Sequence, residues 1–256
     1  PRPAAVDELL RVRPDDEPDS VFVKRCVQRI MDAAYPRAAQ LEEVDAAQYP
    51  AYQRLYVERV GREIGPLGIE FIGDGEQAAT HPGVRQQGLI RCFADEEGEL
   101  VVLASALPSD RPDWQTYLSL RLSRQWQSAG SVECLSQFAD GTQLWTCIEH
   151  DDPFTYGAPV ELDLLPAGTP IADLVTRHLA RHAAYRASHP RNPPLIAHEV
   201  EGVELRWRAA LRSRQDYRLS MGGVTEAELR ALLGEQYDRL SHPVLDLLAQ
   251  CLEVPS

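Results

Sequence analysis

Lysine and asparagine are almost missing from this chain of 256 residues: Lys24 and Asn192 are the sole examples of each. Of the 26 basic residues, 25 are therefore arginine. Arginine, alanine, proline and glycine have GC-rich codons, and lysine and asparagine AT-rich ones. The skew points first to a GC-rich bacterial genome, and only second to selection for the planar, bidentate contacts of guanidinium groups. Positive charge is also short overall. Against 39 acidic residues the formal charge is -13, which argues against a broad phosphate-binding surface and against bulk nucleic acid as a partner. The acidic excess is spread along the chain, with no acidic tail or basic arm.

Cysteine is scarce and unpaired in pattern. Cys26, Cys92, Cys134, Cys147 and Cys251 form no CxxC spacing, which fits separate buried thiols in a reducing cytosol better than a disulfide framework. No apolar run approaches the roughly 18 residues of a membrane helix, so membrane insertion is not expected. Pro1–Leu10 has no apolar core of signal-peptide type, and the expected location is cytoplasmic. Several catalytic signatures are absent as well: G-x-S-x-G, the phosphate loop G-x-x-x-x-G-K-[ST], and a complete G-x-G-x-x-G.

What is present describes a globular protein. The hydrophobic share of 44% and charged share of 25% are ordinary for a packed domain. Helical periodicity covers Ala4–Val12, Val21–Ala34 with the stripe Phe22, Cys26, Ile30 and Ala33, Arg37–Val44, and Ala51–Ile64 with Tyr52, Leu55, Tyr56 and Val60. Gly65-Pro66 breaks the last of these. The period then drops to two. Gly68–Ile72 is short and apolar, Leu89–Phe93 and Leu100–Ala106 flank an acidic turn, and Leu118, Leu120 and Leu122 alternate with polar residues. Val132–Phe138 and Thr142–Ile148 meet at Asp140-Gly141, a dipeptide that tolerates the positive φ of a tight hairpin. Helices resume at Thr169-Pro170, an N-cap followed by proline at the first helical position, over Val200–Met221, where Val203, Leu205 and Trp207 also alternate as a strand would, from the Thr225-x-x-Glu228 capping box, and over His242–Leu252.

The expected fold class is therefore α+β. An antiparallel β-meander of about five or six strands is flanked by N-terminal and C-terminal helices packing on one face. The expected organisation is a single domain over residues 1–256, helical at 1–64, meander at 67–150 and helical at 169–256, with Gly65 and Pro166 as alternative break points.

Five places carry candidate chemistry. His178 and His182 lie four apart on a helix and point the same way, so they are the pair that could hold a divalent metal, the one cofactor considered. His189 or His198 would have to add a third ligand. Leu179 stands where a metalloprotease of the H-E-x-x-H type needs its glutamate, which excludes that class. The same two histidines also lie on the apolar stripe Ile171, Leu174, Val175, Tyr185, where core-edge imidazoles bonded to neighbours are the commoner arrangement. Arg206, Arg208, Arg212, Arg214 and Arg218 form the one dense basic stretch, a site for an anion or an acidic partner or else a solvated helix face. Cys147 and His150 are near in sequence, but on a strand they face opposite ways, and no catalytic residue is assigned. Gly73-Asp74-Gly75 reads as a turn, and the acids around it and at Asp95–Glu97 lack calcium-loop order. Trp114, Trp126 and Trp145 fall in or beside the meander, and Phe154 and Tyr156 follow it in a segment, Asp151–Pro159, that could rim a binding face.

With no complete catalytic set, the expected role is that of a non-catalytic protein-binding module, of inhibitor, immunity or regulator type, with a basic protein as partner. A metal-dependent enzyme built on His178 and His182, or a protein that binds a small anionic ligand, are the alternatives.

Overall fold

The computed structural model describes residues 4–12, 17–35, 41–77, 88–106, 130–148 and 154–253. The chain divides into two compact units. One comprises Pro1–Ala38, Asp151–Gly157 and Ala209–Ser256; the other comprises Ala39–His150 and Ala158–Arg208.

The second unit is built on one sheet in strict chain order: β1 (Leu41–Glu43), β2 (Ile69–Gln77), β3 (Leu89–Asp95), β4 (Leu100–Ala106), β5 (Gly130–Gln137), β6 (Gln143–Ile148) and β7 (Val160–Leu165). Neighbours pair antiparallel except β6 and β7, which run parallel. The α+β class holds, with seven strands where the periodicity suggests five or six. Two short outer strands account for the difference. β1 falls inside the segment with helical spacing, and β7 has a mixed pattern with no clean alternation.

Alternation along the central strands makes two apolar faces. Leu89, Phe93, Leu100, Val102, Ala104, Val132 and Cys134 turn to one side. There they meet α3 (Ala51–Ile64), through Tyr56, Val57, Val60 and Ile64, and α4 (Ile171–Ser188), through Leu174 and Val175. The α3 stripe is thus rotated from the expected one, leaving Leu55 exposed. Ile90, Cys92, Val101 and Leu103 turn to the other side and pack with Ala197, Val200 and Val203. Each such aliphatic side chain removed from water contributes about 1.5–3 kcal/mol before the entropy of ordering is set against it. Both sheet faces are therefore covered over the central strands, as a run of apolar residues at every position demands.

Two glycines set the turns. Gly141, at φ 91°, closes the β5–β6 hairpin as the Asp-Gly pair predicts. Gly98, at φ 69°, ends the β3–β4 turn, where Asp95 caps the Leu100 N–H at 2.9 Å. Gly73-Asp74-Gly75 is not a turn but part of β2, beside a register shift between Phe71 and Gly73.

The first unit has its own core. α1 (Ala4–Leu10), α2 (Pro18–Ala34), α6 (Glu226–Leu233) and α7 (Tyr237–Leu252) bury Val6, Val27, Ile30, Leu229, Val244 and Leu248 together with Phe154. In α2 the buried stripe begins at Val23, and Phe22 is exposed. The helix starts with Pro18 in its first turn rather than after a capping Asp19 or Ser20. The Thr225–Glu228 capping box of α6 is formed in both directions. α5 (Val200–Ser220) begins in the second unit and ends in the first. The Leu118–Leu122 alternation, Trp114, Trp126, His150 and Asp151–Pro153 lie outside the described residues.

Candidate functional site

The chemistry of the second unit gathers where α4 crosses β5 and β6. Inward positions of β5 run Val132, Cys134, Ser136, and those of β6 run Leu144, Thr146. Two of these five are hydroxyl residues, and both meet histidines of α4. Ser136 Oγ lies 3.0 Å from His178 Nε2 and 2.9 Å from His182 Nδ1. His178 Nδ1 lies 2.9 Å from Thr146 Oγ1, and His182 Nε2 lies 3.0 Å from Glu99 Oε2. Arg181 Nη1 donates to Thr146 Oγ1 at 2.8 Å and to Trp145 O at 2.9 Å, and Arg186 Nη1 donates to Glu99 Oε2 at 2.7 Å.

One assignment of the protons satisfies every rung of this ladder. Arg181 can only donate, and the Glu99 carboxylate can only accept. Thr146 accepts from Arg181 and donates to His178 Nδ1. His178 then donates from Nε2 to Ser136, and Ser136 donates to His182 Nδ1. His182 finally donates from Nε2 to Glu99. In this assignment His178 is neutral, and each imidazole carries a hydrogen on Nε2. Burial agrees with this for His178: its ring is pushed down to about 3 by desolvation, with Arg181 and His182 adding to the effect. Phe138 stacks on His182 with ring centroids 5.5 Å apart and lies tilted against Tyr185 at 4.2 Å, closing the side of the ladder.

Ser136, His182 and Glu99 form a serine–histidine–carboxylate sequence of the kind used in acyl transfer. Its polarity is the reverse of a hydrolase. Glu99 sits at the edge of an open cleft, whereas Ser136 is 0% exposed and its hydroxyl is already committed to two imidazoles. A nucleophile needs the opposite order, with its oxygen facing substrate and the carboxylate behind.

His178 and His182 thus do converge, but on a serine hydroxyl. All four of their ring nitrogens hold hydrogen bonds. His189 turns away, stacking on Tyr185 at 4.2 Å, and His198 is exposed. Among the described residues no group of three or more His, Cys, Asp or Glu is placed to hold a metal ion.

The arginine stretch is not brought together as one surface. Arg206 is buried, donating to Gly98 O at 2.8 Å and Glu99 O at 3.2 Å, and burial lowers it to about 10. Arg208 pairs with Glu204 on the helix surface, and Arg212 is exposed. Arg214 lies over the Tyr156 ring at 4.1 Å. Arg218 is 0% exposed and pairs with Glu228 through 2.7 and 2.9 Å bonds. The helix therefore directs its basic residues to several sides, as spacings of two, four, two and four residues must on a 3.6-residue turn.

Elsewhere, Cys147 is buried and its thiol is pushed up to about 12 by desolvation, with Glu133 and Asp163 adding to it. That is the reverse of an activated thiolate. Asp74 holds Arg91 by two bonds of 2.6 and 2.7 Å, an ion pair and not a cation loop.

The ladder's acidic end opens on a cleft of about 620 Å³. Glu99 and Arg186 line it together with His189, Pro193, Pro194 and Ile196. Ser136, Thr146, Glu99 and Arg181 were not among the residues marked by sequence. For Ser136 and Thr146 the signal is a hydroxyl at an inward strand position opposite a histidine-bearing apolar stripe.

No protein-family model, curated protein or solved structure matches this chain.

Proposed function

We propose that this chain is a non-catalytic binding protein of a GC-rich bacterium, of inhibitor, immunity or regulator type, with a basic protein as partner. One observation carries the reading. The polar cluster that most resembles catalytic machinery runs with its carboxylate at the edge of a cleft, 13% exposed, and its serine buried at the bottom, every ring nitrogen spent on a neighbour. Such a cluster orders the fold and presents Glu99; it does not attack a substrate. The diffuse charge of -13 favours a cationic protein and disfavours nucleic acid, because complementary charge steers encounter. Five free, buried thiols suit a reducing compartment, and we place the protein in the cytoplasm. Among the described residues no helix is long and apolar enough to cross a membrane.

The test is capture on the immobilised full chain from extracts of its own cells, at low and at high salt. The expected result is a stoichiometric basic protein whose retention falls as salt screens the charges. Retention that ignores salt, or no stoichiometric partner, overturns the reading. So does hydrolysis of an ester or amide substrate that is abolished in Ser136→Ala.

A further inference from the structure

The cleft beside Glu99 has a floor of paired opposite charges and an apolar wall. Glu99 accepts from both His182 and Arg186 through the single oxygen Oε2, and its Oε1 takes no bond among the described residues. Arg186 uses only Nη1 of its five N–H donors, and its side chain is 51% exposed. His189 is held through Nδ1, and its Nε2 takes no bond among the described residues. The wall is Pro190, Pro193, Pro194 and Ile196, the last 62% exposed. At about 620 Å³ the space falls in the range of small-molecule sites.

The walls are held in place before any ligand arrives. Asn192 accepts from the Asp140 N–H at 3.0 Å and donates to Tyr185 OH at 3.1 Å. Leu195 N–H donates to Gln137 O at 2.7 Å, and Ala139 N–H donates to Pro193 O at 3.0 Å. Three prolines within five residues stiffen the same connector. Glu99 is fixed from behind by His182 and by Arg206 on its carbonyl. A site ordered in advance spends little of its binding energy on ordering.

From this arrangement we infer that the cleft binds a free α-amino acid with an apolar side chain. The α-carboxylate takes the unused N–H groups of Arg186. The α-ammonium takes Glu99 Oε1. The side chain lies on the proline and isoleucine wall. A zwitterion engages the free N–H groups of Arg186 and the free Oε1 of Glu99 together, whereas a ligand with one charge engages only one of them.

The experiment is calorimetric titration of the full chain with L-leucine, N-acetyl-L-leucine and L-leucinamide, accompanied by thermal shift. Leucine should bind and raise the melting temperature in proportion to its occupancy. The acetylated form lacks the ammonium, and the amide lacks the carboxylate. Each should bind about tenfold or more weakly, as expected for the loss of a charged hydrogen bond. Arg186→Met, at a half-exposed position, should leave folding intact and weaken leucine by a similar factor. Ile196→Asp should do the same by removing the wall. No heat or thermal shift with leucine overturns the inference. Equal binding of either capped analogue, or an Arg186→Met protein that binds leucine as the parent does, overturns it too. None of these results bears on capture of a protein partner, so the two proposals fail separately.

Discussion

Replacing Glu228 by glutamine removes one charge from a place where almost nothing can compensate. Arg218 is fully buried, and Glu228 meets it through two bonds of 2.7 and 2.9 Å. The same carboxylate accepts from Thr155 N–H and Oγ1 at 2.7 and 2.8 Å and from Thr225 N–H at 2.8 Å. Burial alone would raise the Glu228 carboxyl, but the bonds from Arg218, Thr155 and Thr225 outweigh it and bring the group to about 2. Set against an unfolded glutamate near 4.3, that depression is worth about 3 kcal/mol at neutral pH. Breaking a buried pair from one side costs about 3–5 kcal/mol, so the two estimates agree. Urea unfolding followed by far-ultraviolet circular dichroism should show Glu228→Gln less stable by about 3 kcal/mol at pH 7. Because the folded pKa is depressed, the stabilisation is complete above the unfolded value and disappears as pH falls toward 2. The gap between parent and variant should therefore be flat down to about pH 5 and narrow below it. A loss under about 1 kcal/mol, or a gap that stays constant to about pH 3, would refute the reasoning.

Three other outcomes follow from the buried groups. Ser136→Ala leaves His178 Nε2–H and His182 Nδ1 facing a methyl group, and should cost about 2–4 kcal/mol in the same urea assay, each orphaned group contributing about 1–3; a change under about 1 kcal/mol would show that the ladder does not stabilise the fold. His178 is held near 3 by burial, well below the 6.5 of a free imidazole, so the unfolded chain binds the extra proton between those values. Stability from this group is complete above about pH 6.5 and should fall by about 1.4 kcal/mol per pH unit below it, a slope that His178→Gln removes; identical pH profiles for the two proteins would count against a neutral, buried ring. All five thiols are buried and free, and burial lifts Cys92 and Cys147 to about 12. A disulfide exchange reagent at pH 7 should therefore label the native protein far more slowly than the urea-unfolded chain, which should yield five equivalents; fast native labelling of either of these two thiols would refute their burial.

Elements with strong local punctuation were legible residue by residue. The Asp140-Gly141 hairpin, the Thr225–Glu228 capping box and the spans of α4 and α5 stand where spacing and turn chemistry put them, although α4 begins after Pro170 as its cap and the Thr169 hydroxyl donates back to Pro166 O instead of capping the helix. The exceptions share a cause. Leu41–Glu43 has helical spacing around it yet joins the sheet, because pairing with Glu76 and Gln77 on β2 outweighs a three-residue preference. β7 pairs in parallel with β6, and its mixed pattern of exposure gives no period to detect. On α2 the stripe Cys26, Ile30, Ala33 is buried and only Phe22 is exposed; on α3 Tyr56 and Val60 are buried and Leu55 is exposed, since several apolar residues sit on adjacent lines and only the packing partner chooses among them.

The candidate site divides in the same manner. That His178 and His182 share a helix face is a property of four-residue spacing alone. What they face is not local. Ser136 and Glu99 reach them across sequence distances of 42 to 83 residues, through strand register and the crossing of α4 over β5. That placement makes the pair an ordered ladder and not an open ligand set. Likewise, five arginines within thirteen residues are a fact of sequence, but the burial of Arg206 and Arg218 and the exposure of Arg212 are facts of packing. Period, turns and caps belong to neighbours along the chain, so composition and spacing suffice for them. The partner of a buried polar group comes from a distant strand or helix, and only the folded chain supplies it.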